Sequence, residues 1–247
     1  MEKSYSFKHG DTEETVSSLG GTVARLTVGG EDIFYPWRMV GDKARGGCPI
    51  CAPWFGSSPR GEKKHGFMRD MEADSVDVEE DVPEFVFFQK GRENYPWEMK
   101  YSTSSYVHSG GIFKMSLRIG RLNDGIASRA PVLPGFHPYF ACDDASKVEV
   151  YSGGEKFQGF SNEARVLPLF DKRIIIKVPG KRTINIQLEK YFFCCGQPQM
   201  VFWTDSPGEY FCVEPILYSP KIFDTEAGLH LAEGQIVQIT MSIKVEQ

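Results

Sequence analysis

The side chains in this sequence best suited to proton transfer are two histidines and a carboxylate, well separated along the chain. His137 lies in GFHPYF, residues 135–140. Proline disfavours the α region for the residue before it, so His137 is predicted to be extended among apolar rings. A histidine held this way is either buried and hydrogen-bonded or aimed into a pocket. Glu214 lies in EYFCVEP, where Tyr210, Cys212 and Glu214 share one strand face and Phe211 and Val213 take the other. A glutamate in so apolar a run is expected to be at least partly buried, with a salt-bridge partner or a chemical task. Asp205 precedes SPG, which is good turn chemistry. Together with Glu214 it also supplies the carboxylate pair that a glycoside hydrolase would need. His65 sits among Arg45, Arg60, Lys63, Lys64 and Arg69. Such a run is either a solvated loop or an anion pocket, and the planar fork of arginine suits oxyanions.

Other chemistries have weaker support. The five histidines, His9, His65, His108, His137 and His230, form no HxH or HExxH arrangement, so no metal site is predicted. CPIC, Cys48 to Cys51, lacks the second CxxC of a zinc ribbon, and the only other closely spaced cysteines are the vicinal pair Cys194 and Cys195. A redox CxxC normally opens a helix in a βαβ unit. Here the motif lies in a Gly/Pro-rich segment, so two buried thiols are expected. No cofactor is called for.

The elements that must position these residues read as strands. In IFKMSLRI, Phe113, Met115, Leu117 and Ile119 alternate with polar residues. Ile184, Ile186 and Leu188 repeat the pattern, as do Val237, Ile239, Met241, Ile243 and Val245. RIIIKV, residues 173–178, reads as a strand buried on both faces. Gly29-Gly30, Gly110-Gly111 and Pro179-Gly180 fall between such runs and predict hairpins. No long window carries a 3.6-residue stripe. The fold class is therefore all-β, a large antiparallel β-sandwich with little helix. Residues 36–66 are rich in Gly, Pro and charge, and a segment of that length inside a compact domain is usually functional or disordered. Its aromatics, Trp37, Trp54 and Phe55, predict order.

Composition narrows the setting. The 247 residues, 41% hydrophobic and 25% charged, suit one large all-β domain spanning 1–247. A net charge of −5 argues against non-specific nucleic-acid binding. The stretch MEKSYSFKHGDTEE has no apolar signal region, and no apolar run reaches membrane-spanning length, so no membrane partner is expected. Cysteines without an export signal predict reduced thiols in the cytoplasm.

RGGCPICAPWFG, HGFMRD, GFHPYF and CVEP, in that order, resemble the aldose 1-epimerase (galactose mutarotase-like) superfamily, most closely its glucose-6-phosphate 1-epimerase branch. The resemblance runs from about residue 20 to the end and implies a β-sandwich with the sugar in a cleft on one sheet. The implied reaction interconverts the α and β anomers of a hexose or hexose 6-phosphate. His137 then matches the general acid, Glu214 the general base and His65 a second pocket histidine. Asp205, Arg45 and Arg69 match substrate-binding positions, the arginines contacting phosphate in the sugar-phosphate branch. The chain departs from the pattern at Lys64, where glutamine is common and which is read as substrate-binding, at MRDMEADSV, which lacks a tryptophan, and at EPILYSP. The mechanism needs no metal or redox agent, and a nearby anion is expected to keep His137 protonated. Trp37, Trp54 and Tyr139 are candidates for stacking on the sugar. The rival readings are a two-carboxylate glycoside hydrolase and a non-catalytic sugar-binding module of the same fold.

Overall fold

The computed structural model describes residues 2–40, 43–58, 60–108, 110–190 and 197–246, with the side chain of Lys190 left aside. Cys194 and Cys195 lie outside the described residues. The described elements are strands and three single 3₁₀ turns, Met68–Asp70, Ala145–Lys147 and Pro220–Ile222. No helix among the described residues is long and apolar enough to cross a membrane.

One large antiparallel sheet runs, in spatial order, through Glu155–Phe157, Glu149–Ser152, Arg173–Val178, Arg182–Lys190, Ile236–Glu246, Ile112–Arg121, Met99–His108, Val82–Gln89 and Ser75–Glu79. A second contains Arg165–Pro168, Gln199–Trp203, Tyr210–Ile216, Gly135–Phe136 and Ile50–Cys51, with Tyr139–Ala141 also paired to Tyr210–Ile216. A smaller sheet of Ser4–His9, Thr12–Ser17, Val23–Val28 and Glu31–Asp32 packs beside them.

Alternation explains why these layers stack. Phe113, Met115, Leu117 and Ile119 are buried, as are Val237, Ile239, Met241 and Ile243, because every second residue faces the same side. Met200, Phe202, Phe211 and Val213 of the second sheet join the same apolar cluster. Each such side chain contributes about 1.5–3 kcal/mol by leaving water. The second sheet has an opposite face as well, where Tyr210 and Cys212 form a separate small cluster with Trp203 packed against it and Glu214 follows on the same strand. The predicted hairpins form at Gly29-Gly30, Gly110-Gly111 and Pro179-Gly180.

RIIIKV departs from expectation. Ile174, Ile176 and Val178 are buried, Ile175 is half-buried, and Arg173 and Lys177 are exposed. Only one face of this antiparallel sheet is covered here, so the strand alternates. The described residues of the segment 36–66 contribute the strands Arg38–Val40, Lys43–Arg45 and Ile50–Cys51.

Thr12–Ser17 buries a carboxylate. Glu14 is 1% exposed, and Ser105 Oγ donates to its Oε2 at 2.6 Å, while Oε1 has no hydrogen-bond partner. Burial raises its pKa from 4.5 to about 7, with Ser105 opposing. A carboxyl whose folded pKa exceeds its unfolded value costs stability as pH rises between the two. Over that range the cost grows to about 3 kcal/mol. Glu14→Gln is therefore expected to resist urea better than wild type at pH 8, with the gap closing toward pH 4.5. A gap independent of pH would contradict this reading.

Candidate active site

Backbone pairing brings the distant histidine and glutamate together. Gly135 pairs with Ile216 and Tyr139 with Cys212, so His137 falls opposite Glu214 between them. His137 N–H donates to Pro49 O at 3.0 Å, which holds the residue extended as its following proline requires. Its Nε2 lies 3.5 Å from Glu214 Oε1. Both side chains are deeply buried, at 7% and 2% exposure. They open into a cavity of about 710 Å³ that is also lined by His65, Phe55, Lys43, Arg45, Lys63, Lys64, Arg69, Tyr139, Val201 and Trp203.

His65 reaches the cavity from the end of the long segment. Its φ of +67° is left-handed, and Gly66 follows at +74°. A Cβ at Gly66 would stand 2.2 Å from Ala52 O, so only glycine allows this backbone approach. Trp54 anchors the segment. It is fully buried against Phe67 and Tyr95, and its Nε1 donates to Lys63 O at 3.1 Å. Trp54 is thus a core residue and cannot stack on a ligand.

The two imidazoles differ in their surroundings. Gly56 N–H donates to His65 Nδ1 at 3.2 Å, and Cys51 Sγ lies 3.3 Å from the same nitrogen. Nδ1 is therefore the acceptor, and the ring proton sits on Nε2. Burial, then Arg69 and Lys64, lower His65 to about 3, so it stays a neutral donor. His137 stacks on Tyr139 at 4.7 Å and 12°, and its centroid is 5.3 Å from that of His65.

The expectation that an anion keeps His137 protonated is overturned. Burial, reinforced by His65, Arg69 and Lys64, holds its pKa well below the ordinary imidazole value. Burial also pushes Glu214 well above the ordinary carboxylate range, with Lys64 pulling it partly back. Both shifts run toward the uncharged form of each partner. Neutral forms are favoured on both partners because each isolated charge is costly away from water.

The cavity wall is cationic although the whole chain is negative. Lys43, Arg45, Lys63, Lys64 and Arg69 line it, and Glu214 is the only acidic residue among the described lining. Arg45 donates to Asp205 from Nη2 at 2.7 Å and from Nε at 3.1 Å, and its guanidinium lies over Trp203. Asp205 also accepts from Tyr210 Oη and does not line the cavity. Lys63 pairs with Asp70 at 2.6 Å. Lys43 and Lys64 have no ion pair among the described residues, and Arg69 Nε is buried without a hydrogen bond, with Asp70 Oδ1 3.9 Å away. Arg60 turns away to Asp224 at 2.9 Å and stacks over Trp97.

Three other expectations are located by the structure. Trp37 is half-buried and off the cavity, whereas Tyr139 lines it. Cys48 and Cys51 are free thiols with no exposed surface. Trp203 is the cavity aromatic that motif reading missed. Its position on the Val201–Trp203–Asp205 face was readable from alternation, but the depth of that face was not. A larger concavity of about 950 Å³ lies on the outer face of the nine-stranded sheet, lined by Asp77, Glu79, Glu84, Ser102 and Arg118 among others. It brings together no histidine or cysteine, so its size alone does not make it the site.

Comparison with known proteins agrees with this architecture. The aldose 1-epimerase family profile matches residues 3–163, about two thirds of the chain, a span that includes His65 and His137. No curated protein sequence matches. Solved structures share the fold. The Slr1438 protein of Synechocystis sp. PCC 6803 is 18% identical with a TM-score of 0.77, over 99% of this chain and 96% of that one. A galactose mutarotase related enzyme of Lactobacillus acidophilus is 13% identical with a TM-score of 0.78, over 99% and 98%. A galactose 1-epimerase of Lactobacillus acidophilus NCFM is 10% identical with a TM-score of 0.73, over 100% and 98%. With the β-sandwich shared along nearly its whole length and the family profile covering most of the sequence, the chain belongs to the aldose 1-epimerase family.

Proposed function

We propose that this protein interconverts the α and β anomers of a hexose, with hexose 6-phosphates its preferred substrates. The observation that carries the reading is the 3.5 Å approach of His137 Nε2 to Glu214 Oε1 at the end of a cavity large enough for a sugar. Exchange of anomers opens the hemiacetal ring, rotates about C1–C2 and closes on the other face. Opening removes the O1 proton and delivers one to the ring oxygen, and closing reverses both transfers.

The pair is suited to this because it holds one proton whichever partner carries it. With that proton on His137, Glu214 takes the O1 proton and His137 gives its own to the ring oxygen, as the family resemblance implies. The neutral arrangement that burial favours differs only by one proton moved across the pair. A substrate bridging both groups connects the two forms, so reclosure on the opposite face needs no outside acid or base. Groups positioned in this way typically contribute ~10²–10⁴-fold in rate. His65, a fixed Nε2–H donor, supports the ring oxygen as charge develops. Tyr139 and Trp203 supply apolar wall for the C–H face of the sugar.

The hydrolase reading loses support because Asp205 is engaged by Arg45 and Tyr210, and Glu214 faces the cavity with no second described carboxylate lining it. Asp205 is better read as the group that orients Arg45 than as one that contacts the sugar.

The phosphate preference rests on the cations that face the cavity without full partners. Arg69→Ala is expected to raise KM for glucose 6-phosphate by about 10–100-fold, since a hydrogen bond to a charged group contributes about 1.5–3 kcal/mol. KM for glucose should change far less. Equal losses on both sugars, measured side by side, would remove the phosphate role from Arg69.

A further inference from the structure

We propose that the active-site floor is also a binding site for a soft divalent cation such as zinc, held by His137, Cys212 and Glu214, and that its occupancy switches the protein off. One donor atom from each of these three residues lies within 4.8 Å of the other two. Cys212 and Glu214 are two apart on one strand, so they project from the same face. Tyr139 pairs with Cys212, which sets His137 across from Glu214. Cys212 and Glu214 are thus fixed by one strand, and His137 by the short strands on either side of it that pair with that strand.

The dimensions fit a tetrahedral cation. Zinc binds sulfur at about 2.3 Å, imidazole nitrogen at about 2.0–2.1 Å and carboxylate oxygen at about 2.0–2.2 Å, which places tetrahedral donors roughly 3.4 Å apart. The nitrogen of His137 and the oxygen of Glu214 are already 3.5 Å apart. Side-chain adjustments of about an ångström bring in Cys212 Sγ. The donor chemistry is borderline-soft, one sulfur, one nitrogen and one oxygen, which suits zinc, cobalt or cadmium and not magnesium or calcium. Charge balances as well. With Cys212 as thiolate, Glu214 as carboxylate and His137 as neutral imidazole, the charges around a dication sum to zero. Three protein donors leave a fourth position open; His137 and Glu214 line the cavity through which a cation would enter, and Cys212 lies off that lining.

The inhibitory effect rests on the proposed mutarotase reading, because the metal would occupy the same nitrogen and oxygen that transfer protons to the sugar. The binding itself does not rest on it. The test uses cobalt(II) as a spectroscopic probe on the whole chain, in parallel with zinc titration of anomer exchange. Wild type is expected to bind one cobalt with tetrahedral visible bands and a thiolate-to-cobalt charge-transfer band. Cys212→Ser and Cys212→Ala should lose that band, so the test survives if one of them fails to fold. Glu214→Gln should weaken cobalt binding at least about tenfold. The double change of Cys194 and Cys195 to serine should leave the band intact. Zinc should slow wild-type exchange, and Cys212→Ser should need at least about tenfold more zinc for the same fractional loss of its own rate. Absence of the band in wild type, its survival in both Cys212 variants, or its loss with Cys194 and Cys195 would overturn the site. A cobalt band in a protein that exchanges no anomers would leave the metal site standing and sink the mutarotase reading instead.

Discussion

Glu214→Gln is expected to lower anomer exchange by about 10²–10⁴-fold while the protein stays folded. The amide keeps the size of the carboxyl and its place opposite His137, but it cannot pass a proton on. Because burial already disfavours the charged form of Glu214, the uncharged amide imposes no new desolvation cost at 2% exposure. The urea midpoint should therefore match that of wild type, or rise. Loss of activity together with loss of the fold would leave the catalytic assignment without support. Full activity with an intact fold would end it.

His137→Asn is expected to cost a similar factor of about 10²–10⁴. The backbone hydrogen bond to Pro49 survives the change, and so does the extended backbone set by the following proline. The ring contact with Tyr139 does not, so a stability loss of about 0.5–1.5 kcal/mol should accompany the kinetic one. A kinetic loss far larger than this small destabilisation can explain is the signature expected of a proton-transfer residue. His137→Asn with wild-type exchange rates would move the acid elsewhere, and His65, neutral down to about pH 3, is a poor replacement.

The two variants draw on different kinds of legibility in the sequence. The β-sandwich was readable because its strands are covered on one face, so Phe113 through Ile119 and Val237 through Ile243 write their burial as strict alternation. RIIIKV was misread for the same reason, since three consecutive isoleucines hide an alternation that only the exposure of Arg173 and Lys177 reveals. His137 and Glu214 were flagged by their apolar contexts, but their convergence was implied by family motifs and not by spacing. The register that joins them, Gly135 to Ile216 and Tyr139 to Cys212, pairs residues more than 70 positions apart, beyond any local pattern. Trp54 was taken for a stacking residue because indole chemistry is legible and depth is not. Asp205 was read as a substrate contact, and the structure instead turns it toward Arg45, 160 residues away in sequence. The cluster of His137, Cys212 and Glu214 escaped the search for metal spacing because Cys212 and Glu214 share one strand while His137 lies in the break between two short strands paired to it. The cationic wall was visible as a basic run, yet which members face inward depends on partners such as Asp70 and Asp224 that sequence distance conceals.

Asp205 and Arg45 also show how the second sheet supports the site from behind. Tyr210, on the same face as Cys212 and Glu214, donates to Asp205, which in turn holds Arg45 over Trp203. The strand carrying Glu214 thereby also orients a cation of the cavity wall.

The most direct measurement is magnetisation exchange between the α and β anomeric proton signals of glucose 6-phosphate by NMR, with and without the protein. The account predicts exchange much faster than in buffer with wild type, and near the buffer rate with Glu214→Gln at equal concentration. Wild-type exchange at the buffer rate with glucose 6-phosphate, glucose and galactose alike would contradict it.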